Sequence, residues 1–574
     1  MNQKYKRPYG DGCRSALPLL AMWLQSTVVL ASCAALVSAG FVKPPTDLKN
    51  VSSYAGTNVR YKEVPSGICE TTEGVKSYSG YVDTGDNDHM FFWFFESHKD
   101  PKNAPLSVWF NGGPGSSSMI GLFQEVGPCR MYPNGTLYKN EYAWNKDSNL
   151  LVIDQPVTTG FSYKDLANVI YDSKNLTMKK VDGDECPSNL GEHETCMTLS
   201  MPSAKSVPSS TSGAAPTVWK ILQGFFGAFP DYANTTLHLR TESYGGHYAP
   251  VFGSYILDQD AKEISNAIKL NLTSVVIGNG WIDPKIQYAS YYNFTVSPGN
   301  TYDYKPYNES TSTLLFNSMY GKGNCTTLVD KCEKENTDSA CRKAEKFCAA
   351  NVEEVWDTLN RDYYDVRELL PDPFPYERYV KYLNEPHVLE AIGAYQSYLE
   401  GSDLISNTFW DAGDWGRSTM PYISHLLESK VPVIMHAGDS DYICNWIGNE
   451  VIANKVGGSD FVRAGYVNME VDGVDTPGQV KQAGSFAYAR VYYSGHEVPW
   501  YQPEAAYAIH HRALNGMDIA TGKTKVSEDY ATKGTPTSTF REGNATMQYH
   551  VLPSGTIYDY EKHAPVSSQG KQAR

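Results

Sequence analysis

Three side chains able to share nucleophilic, basic and acidic work stand just past apolar runs of this sequence. Ser243 lies in "TESYGG", His496 in "YYSGHEVPW", and either Asp439 or Asp441 in "HAGDSDYICNW". A serine hydroxyl is a poor nucleophile until a base takes its proton. A histidine does that best when an acid orients it and stabilises the imidazolium. Any one of these residues alone reads more simply as a turn residue, a helix-capping serine or a core histidine. Two features of "TESYGG" are unusual: Thr241 occupies a place where such turns often carry glycine, and Glu242 puts a carboxyl beside the serine that must attack. Upstream, "WFNGGPGSSS" (109–118) offers two consecutive glycines after an apolar run. Without a Cβ, such a segment lets a backbone N–H approach a substrate closely. No Gly-Lys-[Ser/Thr] follows, so a phosphate loop is excluded. An oxyanion hole fits instead, with one donor at Gly113 and a second at Tyr244, just after the serine.

The elements around these residues must aim them at one place. "LSVWF", "LLVID", "TLHLRTE", "SVVIGNG", "PVIMHAGD" and "ARVYYSG" are short apolar runs that end in Gly- or Asp-containing turns, and each reads as a buried strand. Helical patterns lie between several of them, such as "HYAPVFGSYILDQ" and "PEAAYAIHHRALNG". Strands alternating with helices predict an α/β fold with a mainly parallel sheet, whose loops at the carboxyl strand ends carry function. The chain order Ser, Asp, His is that of α/β-hydrolases, with Ser243 on a sharp strand-to-helix elbow. Two stretches interrupt the rhythm. Residues 183–215, rich in Ser, Pro and Gly, read as a surface insertion, and residues 282–375, rich in tyrosine, as an inserted helical cap.

The 574 residues carry a net charge of −15, which argues against a nucleic-acid-binding surface. Residues 1–39 read as a signal peptide, with Lys4, Lys6, Arg7 and Arg14 before an apolar run and Val37-Ser38-Ala39 as the cleavage site. That leaves residues 40–574 as the mature chain, with no further apolar anchor. N-x-[Ser/Thr] sequons at Asn50, Asn134, Asn175, Asn234, Asn271, Asn293, Asn308, Asn324 and Asn544 predict a glycosylated protein, extracellular or vacuolar. Cys325, Cys332, Cys341 and Cys348 are spaced 7, 9 and 7 apart. That symmetry predicts a helical hairpin with nested bridges, Cys325–Cys348 and Cys332–Cys341, one of three possible connectivities. The spacings are unlike those of a zinc site, and no metal or cofactor is expected. Cys186 and Cys196 suit a local loop, Cys69 and Cys129 remain for each other, and Cys444 is left as a free thiol.

Taken in order, "WFNGGPGSSS", "IDQPVTTGFSY", "TESYGGHYAP", "IGNGWIDP", "HAGDSDYICNW" and "SGHEVP" resemble the motif set of the serine carboxypeptidases, in particular the carboxypeptidase Y-like group and its fungal secreted members. The resemblance runs from about residue 80 to 515. It implies an α/β-hydrolase fold and a hydrolase that removes C-terminal amino acids from peptides and proteins through an acyl-enzyme. It selects Asp441 over Asp439 to join Ser243 and His496. It also implies a grip on the substrate's α-carboxylate by Asn111, the Gly112 N–H, Glu125 and Glu242, with Trp109 packed beside them. Two carboxyls facing a third carboxylate cannot all be ionised. At least one glutamate must therefore titrate well above about 4.3 and donate a hydrogen bond when protonated, favouring activity in acid. Cys444 matches a thiol lining a side-chain pocket, and Glu497, where some members have methionine, is a candidate contact for basic leaving residues. Ser116 stands where members carry a bridged cysteine, so that disulfide is not possible here.

Two relatives of this chemistry share the triad. An acyltransferase would replace water with an alcohol or amine. An ester hydrolase would have no use for a carboxylate grip, so Asn111, Glu125 and Glu242 weigh against it.

Overall fold

The computed structural model describes residues 40–566 apart from 86, 234, 297 and 476; the signal-peptide reading of 1–39 and the sequon at Asn234 lie outside the described residues. Twelve strands form one sheet. In chain order they are β1 (Lys49–Ser52), β2 (Asn58–Val64), β3 (Ser77–Gly85), β4 (Asp88–Phe95), β5 (Leu106–Phe110) and β6 (Asn149–Ile153), then β7 (Leu237–Glu242), β8 (Leu272–Gly278), β9 (Val433–Gly438), β10 (Val467–Asn468), β11 (Gly478–Ala483) and β12 (Phe486–Val491). Their spatial order is β1-β2-β3-β4-β6-β5-β7-β8-β9-β12-β11-β10. The central six, from β6 to β12, are parallel, with antiparallel strands added at each edge.

The central strands are buried along their whole length because both faces are covered. "LSVWF", "NLLVI", "LHLRTE" and "VIMHAG" are buried at every position. One face packs on the long helices α2 (Thr211–Ala228) and α3 (Gly245–Asp260), which follow a short helix, α1 (Met119–Gln124), in the chain. The Ser210 side chain caps α2 by accepting from Gly213 N–H. The helix Pro503–Leu514 covers the other face. Parallel strands with covering helices, and functional turns at the carboxyl strand ends, make this an α/β-hydrolase fold.

The boundaries of both excursions differ from the sequence reading. The surface insertion begins earlier, at Leu166, because Leu166–Asp172, Thr177–Lys180 and Glu194–Ser200 pair as a separate three-stranded antiparallel sheet. Thr211 to Ala215 belong instead to the first turns of α2, where Ala214 and Ala215 enter the core. The helical excursion fills the chain between β8 and β9 and so continues past 375. Helices α4 (Pro284–Thr295), α5 (Glu309–Tyr320), α6 (Cys325–Glu335) and α7 (Asp338–Cys348) form its first part. Later helices, such as Pro386–Ile392, return to pack on β2 and β3.

Helices α6 and α7 form a hairpin. Asn336, in the left-handed region, ends α6, and the Thr337 side chain caps α7 by accepting from Ala340 N–H. Disulfides Cys325–Cys348 and Cys332–Cys341 join the two helices, Cys69–Cys129 and Cys186–Cys196 form elsewhere, and Cys444 is free and buried. Among the described sequon asparagines, Asn50, Asn134, Asn175, Asn271, Asn293, Asn308 and Asn544 are exposed and Asn324 is half-buried. Among the described residues no helix is long and apolar enough to cross a membrane.

Candidate active site

The carboxyl ends of β5, β7, β8, β9 and β12 deliver the site. Strand β7 ends at Glu242, and Ser243 follows with φ 59°, before α3 begins at Gly245. A non-glycine residue held at positive φ is strained, and a serine on such an elbow projects its hydroxyl away from the sheet. Ser243 N–H donates to Gly278 O (3.0 Å), and Ser243 O accepts from Trp281 N–H (2.8 Å) and Gly246 N–H (2.9 Å), which pin the turn. The elbow admits Thr241 because Gly245 makes room for it. A Cβ on Gly245 would stand 1.7 Å from Thr241 Oγ1, and that hydroxyl donates to Phe110 O (2.6 Å).

Strand β9 leads to Asp441 and β12 to His496, both buried. His496 Nδ1 bonds Asp441 Oδ2 at 2.8 Å, and the same oxygen accepts from Asn279 Nδ2 (2.7 Å) and Cys444 N–H (3.3 Å). Asp439 points elsewhere: its carboxylate accepts from Tyr302 OH (3.0 Å) and lies 3.6 Å from Arg490. With Nδ1 held by Asp441, the Nε2 side of the ring is free to serve Ser243. Among the described residues no Ser243–His496 hydrogen bond forms, as is common before substrate tightens a site. Asn279 is a candidate site residue that sequence reasoning passed over. It follows β8 at φ 40°, takes Gly438 N–H on its Oδ1 (3.1 Å), and fixes the Asp441 loop to the sheet. Its position in "IGNG", at the end of an apolar run like Ser243, Asp441 and His496, was the available signal.

Beside the elbow runs the Asn111–Gly115 loop. A Cβ on Gly112 would lie 2.4 Å from Tyr244 N and 2.8 Å from Ser243 Cβ, so only glycine fits against Ser243. Gly113 has φ +104° and precedes a cis Pro114. Asp154, at the end of β6, holds the far side of this loop by accepting from Ser117 Oγ (2.7 Å) and Ser118 N–H (2.8 Å), and burial pushes its carboxyl up to about 6. Tyr244 is held by a second buried acid missed in the sequence: its hydroxyl donates to Asp414 Oδ2 (2.6 Å), which also accepts from Thr211 Oγ1 (2.6 Å) and Thr211 N–H (2.9 Å).

The remaining carboxyls gather next to Ser243. Trp109 Nε1–H (2.7 Å) and Gly121 N–H (3.0 Å) orient Asn111 by donating to its Oδ1, so its Nδ2 donates to Glu242 Oε1 (2.8 Å). Burial, then the Glu242 charge, holds Glu125 well above the usual carboxylate range. Both Glu125 oxygens are buried without a hydrogen-bond donor among the described residues, which leaves this carboxyl to face Glu242. Burial and then the Glu497 charge likewise raise Glu242 well above its ordinary value. Glu497 is raised by burial and by Glu125, Glu400 and Glu377. With its nitrogen turned toward Glu497, the Gln124 amide reaches Oε2 at 3.1 Å and Oε1 at 3.3 Å. Arg130 tempers this concentration of acids, and its Nη2 also donates to Glu125 O (2.9 Å) and Pro499 O (2.5 Å).

The buried Cys444 thiol is pushed up by desolvation and then by Asp441. Asp441, Cys444 and His496 bring one ligand atom each within 4.8 Å. The carboxylate and imidazole are already engaged with each other, and a thiol held in its neutral form is a poor ligand.

The family model of the serine carboxypeptidases matches residues 65–516. "Carboxypeptidase S1 homolog A" from Arthroderma otae is 38% identical over 542 residues, covering 87% of this chain and 83% of that protein. "Carboxypeptidase S1" from Penicillium janthinellum is 38% identical over 450 residues, covering 77% of this chain and 95% of its own. Among solved structures, a prohormone-processing carboxypeptidase from Saccharomyces cerevisiae superposes with a TM-score of 0.60 at 23% identity, over 80% of this chain and 92% of that one.

Proposed function

This chain belongs to the serine carboxypeptidase family and is a serine-type carboxypeptidase; from that premise we propose that Ser243, His496 and Asp441 form its catalytic triad, in a site built to grip a free C-terminus in acid. Ser243 Oγ attacks the last peptide carbonyl while His496 Nε2 takes its proton. The Gly113 and Tyr244 N–H groups receive the oxyanion; losing one such donor typically costs roughly 10²–10³ in rate. His496 returns the proton to the departing amino acid, and water then hydrolyses the acyl-enzyme by the same proton path in reverse.

The observation that carries the exopeptidase reading is the Asn111–Glu242–Glu125 cluster beside the nucleophile. Three groups that can donate, the Asn111 amide, the Gly112 N–H and a protonated glutamate, would meet the substrate's α-carboxylate, with Trp109 behind them. Ionising both glutamates would turn this receptor into a repulsive site, so binding weakens as pH rises. Glu497 borders the same cluster and would meet the leaving residue's side chain. In acid, where it is neutral, it would serve as a hydrogen-bond donor; a preference for Lys or Arg would emerge only as pH rises and it ionises. Cys444 would line a side-chain pocket, giving sensitivity to mercurials. The substrates are peptides and proteins with a free C-terminus. Four disulfides and seven exposed sequon asparagines support a glycosylated protein outside the reducing cytosol, extracellular or vacuolar.

The test is release of the last amino acid from N-blocked dipeptides at pH about 4–5, a window set by the raised glutamates. Release should be abolished by a serine-directed inhibitor and by Ser243→Ala, and should fail when the terminal carboxylate is amidated. Equal turnover of acid and amide at that pH would remove the carboxylate grip, and survival of more than a few per cent of activity in Ser243→Ala would remove the triad.

A further inference from the structure

Strand β7, which carries the nucleophile, has two unlike faces. Leu237 and Leu239 enter the apolar core with Val108 and Phe110. His238, Arg240 and Glu242 point the other way. On that second face one apolar cluster is built on Trp93, Trp109 and Val152, and another on Val276, Ile434 and Ile509. These clusters lie on either side of β7, so a buried polar column separates them. Ser107 and Ser274 flank His238 in register on the neighbouring strands, and the helix Pro503–Leu514 brings in His510, stacked on Trp144 at 4.2 Å.

This column holds donors and a charge but no acid bonded to that charge. Arg240 is completely buried, and its Nη1 donates to Leu239 O (3.0 Å) and Ser274 O (3.3 Å). Among the described residues its Nε and Nη2 have no partner, nor do His510 Nδ1 and Ser107 Oγ. Among the described residues Arg240 forms no ion pair; Glu242, two residues on, is bonded to Asn111, and Asp147 to His511. Burial and the Arg240 charge push His238 and His510 well below the ordinary histidine value, so both are neutral. Burial pulls Arg240 itself down only to about 9, which leaves it a cation in acid and at neutral pH. His238 is satisfied by Thr236 and Ser274, whereas His510, with Ser148 Oγ near its Nε2 (3.5 Å), can offer an Nδ1–H. A buried, unpaired cation among unused donors is among the costliest arrangements a core can hold, and water satisfies donors without neutralising charge.

We propose that Arg240 Nε and Nη2, with Ser107 Oγ and His510 Nδ1, form a buried site for one small monovalent anion of halide size, one strand step beneath Glu242. The direct test uses crystals of the intact protein equilibrated by prolonged dialysis in sodium bromide. An anomalous peak should lie within charge-assisted hydrogen-bonding reach of the free Arg240 nitrogens. It should vanish in Arg240→Met, which keeps the side-chain bulk without the charge. In solution, replacing gluconate with chloride at constant ionic strength should raise Tm by about 2 °C in the wild type and not in the variant. A water without anomalous signal, a peak that persists in Arg240→Met, or the same Tm rise in both proteins would overturn the proposal.

Discussion

Asp441 and Glu242 are buried carboxyls at the carboxyl ends of neighbouring parts of one parallel sheet, yet their surroundings are opposite. Asp441 Oδ2 collects three N–H donors, from His496, Asn279 and the Cys444 backbone. Glu242 collects one, from Asn111, and otherwise faces Glu125 and the Glu497 charge. Burial is common to both and so does not distinguish them. What differs is whether donors or other acids fill the space around the group. One arrangement holds a group that orients an imidazole, and the other raises an acid which, in the proposed function, donates to the substrate's carboxylate.

The sharpest way to break this contrast is to remove the charge that the donors surround. Asp441→Asn should lower kcat by about 10⁴, because the amide favours the wrong imidazole tautomer. Asn279→Ala, which takes away one donor and leaves the acid, should cost less, about 10–100-fold, as for other supporting groups. Steady-state kinetics on one blocked dipeptide gives both values, and equal losses would mean that the donors matter only as a set.

The acid-rich side is probed by a neutral isostere. Glu125→Gln keeps a donor at every pH. Its KM at pH about 5 should stay within about tenfold of the wild type, since the amide still bonds. Between pH 5 and 7.5 the wild-type KM should rise tenfold or more, following one ionisation, and the variant's by less than about threefold. An unchanged pH dependence in the variant would separate Glu125 from carboxylate binding.

A smaller effect concerns Glu497. The ratio of Lys to Leu release should grow by about threefold to tenfold from pH 5 to 7.5 and stay flat in Glu497→Met, the gain expected of one partly solvated ion pair. A ratio unaffected by the substitution would place Glu497 outside the leaving-residue pocket.

The smallest readout is stability. Burial, then neighbouring charge, raises Glu400 to about 7, Glu368 to about 8 and Asp362 to about 7, in addition to Glu125 and Glu242. The unfolded chain releases those protons near pH 4, so the folded protein binds more of them between about 4 and 8. Their stabilisation is complete below the unfolded values and is lost as pH rises through the folded ones. Tm should therefore fall by about 5 °C from pH 5 to pH 8. Asp83 acts oppositely: despite burial, His89 and Arg60 hold it down to about 2, so its contribution is lost only in stronger acid. A Tm that rises from pH 5 to pH 8 would contradict the protonated state of these acids.

Much of this site was legible because its chemistry sits immediately after strands. "LHLRTESYGG" shows β7, the elbow and the helix start in ten residues, and the apolar runs before Asn111, Asp441 and His496 place those residues on loops at one edge of a parallel sheet. Less was legible where position depends on distant chain. Asp414 lies 170 residues from the Tyr244 hydroxyl it accepts, and nothing local marks it. Residues 166–182 read as ordinary chain until Leu166–Asp172 finds its antiparallel partners. The end of the helical excursion was misplaced for a similar reason. Its later helices, such as Pro386–Ile392, are amphipathic in the usual way, and only their packing on β2 and β3 shows that they belong to the excursion's return path.

The sequence by itself determined the alternation of strands and helices, the chain order of the candidate Ser, Asp and His, and the glycines that let Gly112 and Gly245 lie against the elbow. These depend on side-chain periodicity and on the absence of a Cβ, properties carried by each residue and its immediate neighbours. Tertiary structure alone decided that Asp441 collects donors while Glu242 collects acids, that Asn279 and Asp414 bond Asp441 and Tyr244, and that Arg240 is buried without an ion pair among the described residues. A group's charge state and function depend on burial and on partners within a few ångströms, and several of those partners, such as Asn279 for Asp441, Asn111 for Glu242 and Asp414 for Tyr244, come from segments more than a hundred residues away.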